Sequence, residues 1–309
     1  MFDLFSVFGE VLLPVIVVVA VGFTFRRFQP IDTRSVNRIN LYVLAPCLIF
    51  STLIHTEIPG GEAIALILQM ALVLVLTSLF AWLISMPFKL EGPKRSGFIL
   101  TSTFMNSGNF GLSVAKFAFG TVGFQYAILS FLTQALLGQV MAIYLASAGR
   151  MNRMAALGQV LRMPMIYAAL AGVLLRFLGF RITEESNVML QGIQHSLQLL
   201  GDASVPLLLL ILGMQLAIRE KVSANGPMVA ANVLRLLVSV PLAYGIGSML
   251  GLTGLALTVG TIQAAMPTAV NMIVLAVEYD AWPEFVSSGV VITTLFSMVT
   301  LTLLIAMMR

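Results

Sequence analysis

Charge is scarce in this chain: lysine, arginine, aspartate and glutamate make up 10% of its 309 residues. A soluble globular domain carries about 25%, so there is too little charged surface to keep the folded chain in water. Cysteine is nearly absent. The one thiol, Cys47, excludes an intrachain disulfide and a cysteine metal cluster. His55 and His195 lie far apart, lack metal-ligand spacing and are read as interfacial. Hydrolytic chemistry needs a nucleophile beside a base or a metal cluster. The apolar runs offer neither, so no enzyme and no cofactor is expected. The net charge of +4 is spread thinly along the chain, and nucleic acid is not an expected partner.

What the chain has is apolar length. Hydrophobic residues fill 59% of it, and a helix needs about 20 of them to cross a bilayer core of about 30 Å. Runs bounded by charge, proline or glycine predict ten spans: 5–25, 37–54, 63–88, 96–116, 124–148, 160–178, 188–217, 226–250, 254–277 and 284–308. The first lacks a basic leader and a small-residue cleavage site, and is read as a retained span. The seventh carries Gln191, Gln194, His195 and Gln198 in its first half, which is read as a polar-faced or interfacial helix before the apolar Val205–Leu216.

Lys and Arg in short loops mark the cytoplasmic side. One set of loops holds Arg26, Arg27, Arg34, Arg38, Lys89, Lys94, Arg95, Arg150, Arg153, Arg162, Arg219 and Lys221. The other, with the C-terminus, holds Lys116, Arg176, Arg181 and Arg309. The first set is placed inside, which puts both termini outside the cytoplasm. The expected location is the bacterial inner membrane, as a multi-pass protein.

The chain reads as one unit used twice. Pro14, Gly22 and Arg26 recur as Pro164, Gly172 and Arg176, each 150 residues on. Pro46 of span 2 matches Pro206 of span 7, and Asn106 of span 4 matches Pro267 of span 9. The expected domains are residues 1–149 and 150–309. Each carries an odd number of spans, so the second inserts upside down. Inverted repeats meeting at broken helices are a recurring transporter architecture.

Spans 4 and 9 carry the breaks. In span 4, Asn106-Ser-Gly108-Asn109-Phe-Gly111 is a poor helix interior. In span 9, Pro267 removes a backbone donor, and Gln263, Thr268 and Asn271 surround it. Unwound backbone at that depth must be satisfied by protein or a wet cavity. Each break exposes the N-terminus of a second half-helix, with N–H groups and a positive dipole end suited to a carboxylate. Asn106, Gly108, Asn109, Gly111, Gln263, Pro267, Thr268 and Asn271 are therefore the expected substrate site. A small-residue packing motif with a proline kink is the plainer alternative.

These motifs, with Ala203-Ser-Val-Pro-Leu-Leu-Leu-Leu-Ile-Leu-Gly213 in span 7 and Met266-Pro-Thr-Ala-Val-Asn271 in span 9, resemble those of the auxin efflux carrier family of secondary transporters in its short prokaryotic form. The resemblance covers nearly the whole chain. It implies two inverted five-helix repeats, a substrate site where spans 4 and 9 cross, and an elevator-like motion. Prokaryotic relatives are associated with malonate, malate and similar carboxylates, and plant relatives export the indole carboxylate auxin. Plant members tend to have proline at both crossings; this chain has glycine and asparagine at the first.

Two ionisable residues inside spans are candidates for coupling or charge pairing. Asp202 is read either as a proton carrier or as a cap on the half-helix that comes after it. Arg235 is read as a partner for the substrate carboxylate or for Asp202, or as a side chain snorkelling to the cytoplasmic face. The expected function is secondary transport of small organic anions, coupled to a proton or a sodium ion. The bilayer is a further partner, and a homodimer is left open. A cation/proton antiporter, a sensor and a channel are the competing readings.

Overall fold

The computed structural model describes residues 4–56, 58–148, 153–180, 187–217 and 225–309. Arg150, Arg181, Arg219 and Lys221 of the loop-charge argument lie outside the described residues, as does the side chain of Arg153. Every regular element among the described residues is a helix. In a bilayer each backbone polar group needs a partner within the protein, and a helix supplies its own.

Among the described residues, seven helices are long and apolar enough to cross a membrane: α1 (Leu4–Phe28), α2 (Thr33–Ile54), α3 (Gly60–Ser85), α5 (Ser107–Ala146), α8 (Val188–Leu216), α9 (Gly226–Met249) and α12 (Pro283–Met308). Shorter helices lie between them: α4 (Gly92–Thr103), α6 (Arg153–Leu161), α7 (Pro164–Phe177), α10 (Gly254–Ala264) and α11 (Asn271–Glu278). Span 4 is thus split between α4 and the start of α5, and span 9 between α10 and α11. Helix α5 turns at Gly120, whose φ of 62° belongs to the left-handed region that glycine tolerates. Span 5 comes after that turn.

The seventh span, expected over 188–217, is one helix. Its polar first half is not a separate helix: α8 runs unbroken for 29 residues through Pro206. Proline there forfeits one hydrogen bond, to the carbonyl of Asp202. The buried Val205, Leu208 and Leu209 beside it keep that stretch packed, so the helix continues. Asp202 consequently sits in a helix interior, on an exposed face, and is not the cap of a following half-helix.

The chain divides into two compact units, each drawn from both halves of the sequence. The first comprises Met1–Val15, Pro59–Val160 and Ile218–Arg309; the second comprises Ile16–Ile58 and Leu161–Ala217. In the second unit, α1, α2, α7 and α8 meet through glycine. A Cβ on Gly22 would lie 2.9 Å from the Cα of Leu210, and one on Gly172 would lie 3.2 Å from the Cβ of Leu53. Span 1 therefore rests against span 7 as span 6 rests against span 2. Close backbone approach at small residues is how helices associate where lipid is as apolar as leucine. Ser204 adds a hydrogen bond at 2.7 Å to the Oδ1 of buried Asn40.

In the first unit, Phe98 of α4, Ala81 of α3, Leu234 of α9 and Phe285 of α12 share one core cluster. The rings of Phe98 and Phe285 lie 6.2 Å apart, and Trp282 stacks on Phe285 at 4.1 Å. Polar glue joins α3, α9 and α10. Gln69 of α3 is buried and donates from Nε2 to the Ala243 carbonyl of α9 at 2.8 Å. Its amide fills the space that a Cβ on Gly260 of α10 would need. At the periphery, Arg309 and Glu10 pair at 3.1 Å with both side chains largely exposed.

Candidate binding site

The breaks of spans 4 and 9 meet inside the first unit. After Thr103 the chain extends through Phe104, and after Ala264 it unwinds toward Asn271. Met105 and Thr268 face each other as an antiparallel bridge. On one side of that pair, the Asn106 N–H donates to the Pro267 carbonyl at 2.7 Å. On the other, the Ala269 N–H donates to the Phe104 carbonyl at 2.9 Å. Each unwound segment thus satisfies the other's backbone, which is what membrane depth demands.

Side chains complete the crossing. Thr268 donates its hydroxyl to the Thr101 carbonyl at 2.7 Å, and its N–H donates to the Thr293 hydroxyl at 3.0 Å. Gln263 donates to the Gly111 carbonyl at 2.9 Å, and its amide lies where a Cβ on residue 111 would be. A side chain at 111 would have to push that amide aside.

The glycine- and asparagine-rich stretch of span 4 is less unwound than expected. Ser107–Gly111 forms a π-helical turn that opens α5. The Gly111 N–H reaches back to the Asn106 carbonyl at 3.0 Å, an i to i−5 bond in which small residues permit the wider turn. Such turns recur at functional sites.

The expected site residues fall into two groups. Asn106, Gly111, Gln263, Pro267 and Thr268 are buried in the crossing, whereas Gly108 and Asn109 are half-buried and Asn271 is exposed. The Asn271 Nδ2 donates to the Oε1 of Gln139 at 3.1 Å. The Asn106 Nδ2 and Gln263 Oε1 are buried without a hydrogen-bond partner, so unsatisfied polar capacity remains at the crossing.

Two glutamines of span 5 touch the crossing and were not expected. Gln134 accepts from the Ser107 hydroxyl at 2.7 Å and donates to the Met105 carbonyl. Gln139 holds Asn271. A π turn over Gln134–Gly138 places them at i and i+5, with the Gln139 N–H bonded to the Gln134 carbonyl. Two amides five residues apart within an apolar span were the available signal.

Arg235 does not snorkel. It is fully buried, and its guanidinium points into the first unit. It donates to the Ser102 carbonyl at 3.5 Å and to the carbonyls of Thr103 and Ala264. The π turn Leu234–Val238 carries it. Asp202 belongs to the second unit.

The side chains at the crossing are therefore neutral amides and hydroxyls, with one guanidinium among the half-helix ends. Among the described residues no three of His, Cys, Asp or Glu gather as a metal group. Amide donors and N-terminal N–H groups bind anionic oxygen without a fixed charge that must be stripped of water.

The chain matches the membrane transport protein family over residues 7–156 and 147–305. An uncharacterized transporter of Methanocaldococcus jannaschii is 26% identical over 303 residues, covering 95% of this chain and 96% of that protein. An uncharacterized transporter of Methanothermobacter thermautotrophicus is 28% identical over 300 residues, with the same coverage of 95% and 96%. Auxin efflux carrier component 3 of Arabidopsis thaliana is 30% identical over 142 residues, which is 45% of this chain and 22% of the plant protein. The chain belongs to the membrane transport protein family, which includes the auxin efflux carriers, and is itself a multi-pass membrane transporter.

Proposed function

We propose that this transporter carries small organic anions, mono- or dicarboxylates with auxin-like acids among the candidates. Binding is at the crossing of spans 4 and 9, with transport coupled to a proton or sodium gradient. The observation that carries this reading is the paired break: Phe104–Asn106 and Pro267–Ala269 are held face to face by their own backbones, leaving the Asn106 Nδ2 buried without a hydrogen-bond partner beside two half-helix starts. Cation/proton antiport calls for carboxylates at the breaks, and the residues there are amides and hydroxyls.

The architecture we propose is ten spans in two inverted five-helix repeats, 1–149 and 150–309. The matching jobs of Gly22 and Gly172 support it, as does the antiparallel pairing of the two breaks. The crossing lies wholly within the first unit, so its bound anion can travel with that unit. This supports an elevator mechanism.

The test is uptake of labelled malonate, malate and indole-3-acetate into proteoliposomes under imposed proton or sodium gradients. Saturable, gradient-dependent accumulation of one acid is expected. Folded, inserted protein that accumulates none of them overturns the assignment.

A further inference from the structure

We propose that Arg235 sets the sign of charge the crossing accepts, by cancelling the two helix ends that would otherwise repel an anion. The inference rests on the crossing being the anion site.

Four half-helix ends converge there. The starts of α5 and α11 bring positive dipole ends, and the finishes of α4 and α10 bring negative ones. Each end is worth roughly half an elementary charge, so the four together favour neither sign. The Arg235 guanidinium meets the negative ends specifically. One nitrogen donates to Ser102 and Thr103 at the finish of α4, and the other donates to Ala264 at the finish of α10. One full positive charge offsets two half-negative ends, and the uncompensated field left at the crossing is that of the two N-termini.

Burial makes this arrangement costly without a purpose. Arg235 is the one charged residue fully buried among the described residues, and a charge taken out of water needs partners. Its partners are the last carbonyls of two different helices, which lack intrahelical donors. The guanidinium fork reaches both at once, which the single ammonium of lysine does not match. Arg235 is thus a positioning residue that acts on substrate through the half-helices it caps.

The experiment compares wild-type protein with Arg235→Lys, Arg235→Met and Arg235→Ala in proteoliposomes, using the acid that the wild type transports. Arg235→Met is expected to lose at least about 100-fold in uptake, the scale for removing preorganised charge stabilisation. Arg235→Lys keeps the charge but not the fork, and is expected to raise KM while changing the maximal rate less. Millimolar guanidinium ion is expected to restore part of the uptake of Arg235→Ala. Uptake by Arg235→Met within twofold of wild type at unchanged KM overturns the proposal. So does a folded Arg235→Ala that guanidinium leaves inactive.

A wild type that transports no acid would count against the anion site itself. In that case the clamp is read separately by thermal unfolding. Guanidinium that raises the unfolding temperature of Arg235→Ala and not of wild type supports the capping role, and no difference between the two overturns it.

Discussion

The backbone N–H of Asn106 donates to the carbonyl of Pro267 at 2.7 Å, joining the residue that ends one unwound segment to the proline that creates the other. The bond spans more than half the chain, and it places the two half-helix starts on either side of one bridged pair. The consequences for binding, packing and stability can each be measured.

Asn109 and Asn271 are the amides at the more open side of the crossing. Asn109→Ala or Asn271→Ala should lower uptake about 100-fold while leaving expression and unfolding temperature nearly unchanged. Asn271→Asp should be at least as damaging, because it sets a carboxylate against the substrate's own. Normal uptake by both alanine variants would remove these residues from the site.

Gly111 and Gln263 should behave as one element. Gly111→Ala drives a methyl group into the Gln263 amide, and Gln263→Ala removes that amide's bond to the Gly111 carbonyl. The double variant should be no worse than Gln263→Ala alone, giving a coupling of about 0.5–3 kcal/mol in a double-mutant cycle. Strictly additive losses in uptake would show that the two sites are independent.

Thr268 holds the bridge from both its backbone and its side chain. Thr268→Val deletes the hydroxyl bond to the Thr101 carbonyl and should cost about 1–3 kcal/mol, the penalty for a buried group left unpaired. Thr268→Ser should recover most of it. Unfolding temperatures in detergent rank the three proteins, and a valine variant as stable as wild type would contradict the assignment.

The glycine contacts of the second unit should differ in tolerance. A Cβ on Gly22 would lie within 2.9 Å of the Leu210 backbone, whereas one on Gly172 would lie 3.2 Å from the Leu53 Cβ and 3.3 Å from the Phe50 carbonyl, a clash that a small shift relieves. Gly22→Ala should therefore destabilise more than Gly172→Ala, with overpacking costs of about 1–3 kcal/mol. Equal or reversed losses on thermal unfolding would refute that order.

Gln134 marks the limit of what residue order reveals. It lies in a span whose helical character is plain from composition, yet the π turn that begins at it sets the direction of Gln139 beyond, which holds Asn271. Such a turn adds a residue and rotates the rest of the helix by about 100° relative to an α-helix of 3.6 residues per turn. Depth in span 5 or span 8 can be counted along a helix, but the direction of a side chain beyond an irregular turn cannot.

The sequence by itself determined that this is a helical membrane protein, where its apolar helices run, and that spans 4 and 9 are broken. Composition sets the solvent, and proline, glycine and asparagine act locally on the backbone they occupy. Tertiary structure alone decided that the two breaks bridge each other, that Gln134 and Gln139 join them, and that Arg235 turns inward to cap two helices. It also decided that the compact units cut across the two halves of the chain. These features depend on which distant backbones come within hydrogen-bonding distance, and a pattern along one strand of sequence carries no record of that distance.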